Sequence, residues 1–142
     1  MEAQLNQLTT ALAEISDLAQ IANLLGWDQQ VNMPPGAAEA RGNQMATLQQ
    51  LIHIKSITPE IGQLIEELSK AVQEIDSDSY EARLVKIAKR DYEKATKVPP
   101  EFTAKLAMVT AMAHGAWTEA RAENNFSKFQ PNLEEILELT RE

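Results

Sequence analysis

The two histidines are the first residues to test for chemistry, because the chain contains no cysteine. A catalytic zinc ion needs about three protein ligands, and helical di-iron sites use a Glu-x-x-His motif. Neither His53 nor His114 has a second histidine one helical turn away, and Gln50 and Ala111 precede them by three residues. The sequence therefore predicts no metal site and no catalytic residue in this chain. A site that joins both histidines to a distant carboxylate remains an alternative.

The carboxylates are numerous but follow no catalytic pattern. Glu134, Glu135 and Glu138 fall in the first turns of a predicted helix, where negative charge suits the helix N-terminus. Glu66 and Glu67 are expected on the outer face of another helix. General acid–base catalysis needs two carboxylates in different environments, which sequence does not reveal. We interpret both groups as solvated helix faces.

One predicted helix, at about 79–97, is basic. Lys86 and Arg90 lie one turn apart on one face, and so do Arg90 and Lys94. This face is either a contact surface for an acidic partner or another subunit, or a solvated surface with local ion pairs. We favour the solvated surface. The cations of this helix are Arg83, Lys86, Lys89, Arg90, Lys94 and Lys97.

All periodic segments have the helical spacing of apolar residues, so the sequence predicts an all-α bundle of five to six helices. Gly26 is expected to end the first helix, and Thr58 and Pro59 to start the third. Ile87 and Trp117 are expected to face inward, and the last helix to continue through Glu142 without a cap. The predicted helices cover about 4–25, 37–54, 59–75, 79–97, 100–120 and 131–142.

The overall composition excludes several classes of protein. A chain of 142 residues is about one domain, and its 44% hydrophobic and 24% charged residues are typical of globular proteins. A net charge of −8 disfavours binding to nucleic acid. We find no apolar run long enough to cross a membrane and no signal peptide at the N-terminus. Together with the missing cysteines, this leads us to expect a cytoplasmic protein.

The most specific stretch of the sequence follows the first predicted helix. It reads WDQQVNMPPGAAEARGNQMATL from Trp27 to Leu48, with His53 and Thr58-Pro59-Glu60-Ile61-Gly62 beyond it. It resembles the N-terminal region of the carboxypeptidase Taq family of metallocarboxypeptidases. Further landmarks occur in the family's order over nearly the whole chain: Tyr92, Lys94-Ala95, Val98-Pro99-Pro100-Glu101, Trp117, Ala120-Arg121, Phe126, Phe129 and Pro131-Leu133-Glu134.

The resemblance implies a metal-dependent hydrolase. Members of this family are much longer, all-helical enzymes that remove single residues from peptide C-termini. They hold one divalent metal, zinc or cobalt, on a His-Glu-x-x-His helix and a downstream glutamate, and the motif's glutamate activates the metal-bound water. None of these residues maps onto this chain, so we expect no cofactor here. Family members are typically homo-oligomers.

The consecutive prolines Pro34 and Pro35 form a joint between the first two predicted helices. Four residues near this joint are candidates for a substrate groove or a hinge: Trp27, Asp28, Met33 and Arg41. In such enzymes the N-terminal helices resemble a lid or wall over a deep groove. The four residues could line that groove or fix the hinge of the lid. Alternatively, Trp27 and Met33 fill the joint while Asp28 and Arg41 cap helices or pair with each other. We favour the structural role.

Two hypotheses of different classes follow. In the first, residues 1–142 form a single helical region of a longer catalytic domain, inactive alone, whose partners are the rest of that domain and a peptide substrate. In the second, the chain is a stand-alone helical module of the same descent that binds a protein partner. An exposed hydrophobic surface that the rest of a catalytic domain would cover favours the first hypothesis.

Overall fold

The computed structural model describes residues 1–141, and within them it contains α-helices, short 3₁₀ turns and no β-strand. The predicted all-α fold is confirmed. None of the helices in this range combines the length and apolar content that a membrane crossing requires. The helices are α1 (Glu2–Val31), α2 (Ala38–Ser56), α3 (Pro59–Ala71), α4 (Tyr80–Ala95), α5 (Pro100–Ala122) and α6 (Gln130–Leu139).

Several helix ends lie where the capping residues predict them. Helix α3 starts at Pro59 with Thr58 as its N-cap, although the threonine side chain makes no capping hydrogen bond. Ser79 caps α4, because its hydroxyl oxygen accepts a hydrogen bond from the backbone N–H of Ala82 at 3.3 Å. Helix α5 starts at Pro100, where the missing N–H costs nothing.

Helix α1 does not end at Gly26, so that prediction was wrong. One glycine inside a helix costs only about 1 kcal/mol, and the surrounding turns retain their hydrogen bonds. The helix ends where Pro34 makes continuation impossible. The N–H groups of Asn32 and Met33 both donate to the carbonyl of Asp28 and close the last turn. Trp27 and Asp28 therefore lie on the helix, and the connection is short, with a 3₁₀ turn at Pro35–Ala37.

Three other predictions need correction. Ile87 is 50% exposed and Trp117 is 44% exposed, although both were expected to face inward. Helix α4 instead buries Ala82, Val85 and Ala88, whose spacing of three places them on one face. Helix α6 ends at Leu139, where the prediction had it continue, and Glu142 lies outside the described residues.

The chain forms two compact units, and the first comprises residues 1–19 and 52–99. Its core combines the first half of α1 with α3 and α4. Gly62 in α3 lies against the ring of Tyr92 in α4, where a Cβ atom would be 2.4 Å from the phenolic oxygen. Only glycine therefore allows this close approach. The buried residues of the core are Leu8, Ile61, Ile65, Leu68, Val85 and Ala88.

The second unit comprises residues 20–51 and 100–142, described as far as residue 141. Its buried side chains are mainly alanines, which allow helices to approach closely. Gly42 of α2 shows the same packing, since a Cβ atom there would lie 3.3 Å from Met112 Cγ of α5. The buried residues of this unit are Ala22, Ala111, Ala113, Ala120 and Leu139.

Candidate functional site

The end of α1 and the start of α2 are joined by the guanidinium group of Arg41. Its Nη2 atom lies 2.5 Å from Oδ2 of Asp28, and its Nη1 atom donates to the carbonyl oxygen of Leu25. Its Nε atom donates to Oε1 of Gln44 at 3.1 Å. The Arg41 side chain is only 11% exposed, so the Asp28 carboxylate provides the charge that such a buried cation requires. Arg41 and its three partners all belong to the second unit.

Trp27 and Met33, the other two candidates near the prolines, make no contact within residues 1–141 comparable to the Asp28–Arg41 ion pair. Met33 is half-buried just after the last turn of α1, whereas Trp27 is 56% exposed. One residue step turns an α-helix by about 100°, so Trp27 and Asp28 leave α1 in different directions. The structure therefore brings Asp28 and Arg41 together as a pair and leaves the indole of Trp27 on the surface. A role of the four residues in a groove or hinge stays a prediction.

A cavity of about 520 Å³ lies beside this joint in the second unit. Residues of α1, α2 and α5 line it, and none of them is an aspartate, glutamate, lysine or arginine. Gln29 is fixed across it, since its Nε2 atom donates to the carbonyl of Ala111 at 2.7 Å. Amides and hydroxyls of this kind can hydrogen-bond a peptide, but they supply no acid–base pair. The polar lining residues are Gln29, Gln30, Gln49, Thr103, Thr110 and His114.

Sequence reasoning did not find this cavity. Glutamine and threonine do not titrate and form no metal-binding motif, so no chemical pattern marks them. The sequence contains two signs: His114, which was tested only as a metal ligand, and helical spacing, since Thr103 and Thr110 lie two turns apart on α5. Three hydroxyls of that helix are bonded within it: Thr103 donates to the Pro100 carbonyl at 2.7 Å, Thr110 to that of Leu106 at 2.8 Å, and Thr118 to that of His114 at 2.9 Å.

His53 has a structural contact in the first unit. It is 9% exposed, and its Nε2 atom lies 2.7 Å from the carbonyl oxygen of Val98. A carbonyl oxygen only accepts, so Nε2 carries the hydrogen and donates it. Val98 follows the end of α4 and precedes two prolines that cannot continue its hydrogen-bond pattern. The histidine therefore provides a donor for a carbonyl at this helix end.

His114 belongs to an aromatic group on α5. Its ring centroid lies 5.9 Å from that of Trp117, and the guanidinium carbon of Arg121 lies 5.7 Å from the indole centroid. Trp117 is thus near both an imidazole and a cation, and the cation suits the electron-rich face of the indole.

Within residues 1–141, the side chains that could bind a metal do not converge. No group of three or more histidine, aspartate or glutamate side chains within residues 1–141 could hold a metal ion. His53 and His114 belong to different units. A catalytic zinc site needs about three converging ligands. We therefore assign no metal ligand and derive no catalytic step from the described residues.

The charged faces that the sequence indicated have ordinary surface geometry. Lys70 lies 2.9 Å from Glu66, and its hydrogen bond and charge lower the pKa of that carboxyl. Gln130 Nε2 donates to Glu134 at 2.7 Å, and Arg90 lies 2.8 Å from Asp91 on the basic helix α4. These contacts are local pairs on single helices, which typically contribute little stability.

Comparison with known proteins defines the class of this chain. Its residues 7–142 match the family model described as carboxypeptidase Taq (M32) metallopeptidase, and the chain belongs to that family. Thermostable carboxypeptidase 1 of Pyrococcus furiosus is 31% identical over 96% of this chain and 27% of its own length. The protein of that name in Thermus thermophilus is 33% identical over 99% of this chain and 28% of its own.

The fold comparison gives the same result. The crystal structure of BsuCP matches with a TM-score of 0.89 and 25% identity, over 96% of this chain and 27% of that one. The chain therefore spans little more than a quarter of the length of the relatives that it matches. The similarity to the family's N-terminal region, first indicated by the Trp27–Leu48 stretch, is confirmed as family membership.

Proposed function

We propose that this chain is the N-terminal helical segment of a metal-dependent carboxypeptidase, which removes single residues from peptide C-termini. The observation that carries the proposal is the family match over residues 7–142 in a chain that spans only 27% of a typical relative. In this proposal residues 1–142 are one part of a longer catalytic domain. The full-length enzyme uses zinc or cobalt, assembles as a homo-oligomer and works in the cytoplasm.

The chain alone is inactive in this proposal. Its support is the donor set, because the described residues bring no three metal-binding side chains together. The metal ligands of the full-length enzyme therefore come from residues outside this chain. The helices described here contribute a wall or lid of the substrate groove.

Within that wall, we propose a structural role for the proline-flanked joint. Arg41 contacts the Asp28 carboxylate and the Leu25 carbonyl, and thereby fixes the end of α1 against α2. Trp27 and Met33 extend from the same part of the chain. This joint maintains the shape of the adjacent cavity in the second unit. The cavity can accept peptide groups through its amides and hydroxyls.

The first test is to sequence the source reading frame beyond the codon for Glu142. We expect an in-frame His-Glu-x-x-His motif further on, and the longer product should release C-terminal residues from peptides in a metal-dependent way. A stop codon at that point would contradict the proposal. It would support the alternative, a stand-alone helical interaction module of the same descent.

An activity assay tests the second half of the proposal. The 142-residue chain should release no amino acid from a peptide when zinc or cobalt is added, while the Thermus thermophilus relative under the same conditions serves as the positive control. Metal-dependent release above the blank by the chain itself would refute the predicted inactivity.

A further inference from the structure

The second half of α1 packs within the second unit on one side and exposes large apolar residues on the opposite side. On one side Ala22 is 3% exposed, and Gln29 is bonded to the Ala111 carbonyl within the second unit. On the other side three large apolar residues, Leu24, Trp27 and Val31, are 62%, 56% and 60% exposed. We call these three residues the outer stripe.

The helical geometry separates the two sides. Leu24 lies two residues after Ala22, and Trp27 and Val31 lie two residues before and after Gln29. Two residues correspond to about 200° around an α-helix, so the outer stripe faces directly away from the packed side. An apolar stripe on the side of a helix that faces away from its packing is typical of a helix that is covered on both sides.

The charge pattern of this segment supports the same conclusion. Charged residues make up 24% of the chain, yet residues 20–31 contain a single one, Asp28. Its carboxylate is already paired with Arg41. A protein surface that covers the outer stripe would therefore bury no charge that lacks a partner, and burial of charge is the main cost of such contacts.

The size of the stripe indicates what covers it. Its residues extend along about 10 Å of helix, given 1.5 Å per residue. A stable interface between separate proteins buries about 800 Å² on each partner, far more than three side chains provide. A segment of the same polypeptide needs less, because the covalent link keeps it at high effective concentration. Relatives hold almost three quarters of their length outside the matched part.

We infer that the outer stripe of α1 is an internal contact, covered by an apolar helix face of the remaining polypeptide of the full-length protein. This inference rests on the proposed function, because it requires that remaining polypeptide. It assigns Trp27 to a contact within the protein, in place of the peptide groove.

The absence of cysteine from the sequence makes the inference testable by thiol labelling. Leu24→Cys places one thiol on the outer stripe, and Ser77→Cys places one in the exposed connection before α4 as the matched control. Each variant is prepared twice, as the 142-residue chain and as a chimera in which this chain replaces the matched 28% of the Thermus thermophilus protein. The rate of reaction with a maleimide reagent is followed by mass spectrometry.

We expect the Leu24→Cys thiol to react rapidly in the short chain and at least about tenfold more slowly in the chimera, because a covered thiol reacts only when the contact opens. The Ser77→Cys thiol should react at similar rates in both. Val31→Cys, at the other end of the stripe, repeats the measurement in case Leu24→Cys disturbs folding. Slow labelling in the short chain that depends on protein concentration would instead identify a second copy as the occupant and overturn the inference.

Carboxypeptidase activity of the unsubstituted chimera separates this inference from the proposed function. An active chimera whose stripe thiol remains reactive refutes the inference and leaves the proposed function standing. An inactive chimera with a protected thiol supports the contact and counts against the proposed function. An inactive chimera with a reactive thiol counts against both.

Discussion

Replacement of Gly62 by alanine tests the packing of α3 on α4 most directly. A Cβ atom at this position would lie 2.4 Å from Oη, 2.7 Å from Cζ and 3.1 Å from Cε1 of Tyr92. Ordinary contacts between such atoms are about 3.5–4.0 Å, so the ring must move by about 1 Å. Tyr92 packs against the core of the first unit, and its displacement therefore disturbs other buried contacts.

The size of the effect follows from two opposing contributions. Alanine improves the helix propensity by about 1 kcal/mol relative to glycine, whereas overpacking a core costs about 1–3 kcal/mol. We expect Gly62→Ala to lower the free energy of unfolding by up to about 2 kcal/mol. Gly115 is the matched control, because it lies inside α5 and a Cβ atom added there would meet no packing neighbour within 4 Å. Gly115→Ala should raise the stability by about 1 kcal/mol.

Urea denaturation followed by far-ultraviolet circular dichroism measures both variants, and unchanged m-values keep the comparison valid. A double-mutant cycle then tests the cause. In a Tyr92→Leu background the aromatic ring is gone, and Gly62→Ala should lose its cost and behave like Gly115→Ala. If Gly62→Ala stabilises the chain with Tyr92 present, or if its cost persists without the ring, the close approach of these two residues does not determine the packing.

Substitutions at three places test the connections between helices. Pro34→Ala combined with Pro35→Ala should lower the stability by about 1 kcal/mol, because the prolines restrict the unfolded chain. An unchanged melting curve would show that the two prolines do not stabilise the connection between α1 and α2. Arg41→Met should lower the free energy of unfolding, measured by urea denaturation, by about 2–3 kcal/mol, because the Asp28 carboxylate loses its buried cation. Arg41→Lys should restore only part of that free energy. His53→Phe should cost about 1–2 kcal/mol by leaving the Val98 carbonyl without its donor, and an unaltered denaturation midpoint would contradict that role.

The fold was predictable from local chemistry to a large extent. Thr58 and Pro59 mark the start of α3 because a helix start depends on the residue types at one or two positions. Gly26 misled the prediction, because a glycine ends a helix only when the backbone there must leave the helical region. The prediction that Ile87 and Trp117 face inward was wrong for another reason. Apolar spacing alone does not tell which of two apolar faces of a helix meets the core.

The candidate site was predictable only where charges were involved. Asp28 and Arg41 were expected either to cap helices or to pair, and the structure joins them at 2.5 Å. The cavity beside the joint was not predicted. Gln29, one of its lining residues, is held in place by the carbonyl of Ala111 on α5. Such a contact joins residues far apart in the chain, and it depends on tertiary packing that one sequence does not encode in a short motif.

The threonines of α5 have a consequence for hydration. Thr103, Thr110 and Thr118 each direct the hydroxyl hydrogen to a carbonyl of their own helix. Water at these positions receives no hydrogen bond from them, so its removal breaks no hydroxyl donation. Each hydroxyl oxygen keeps its acceptor lone pairs, so this side of α5 offers acceptors but no free hydroxyl donors to an approaching surface. A surface that donates hydrogen bonds, such as peptide N–H groups, therefore suits this side of the helix better than one that accepts them.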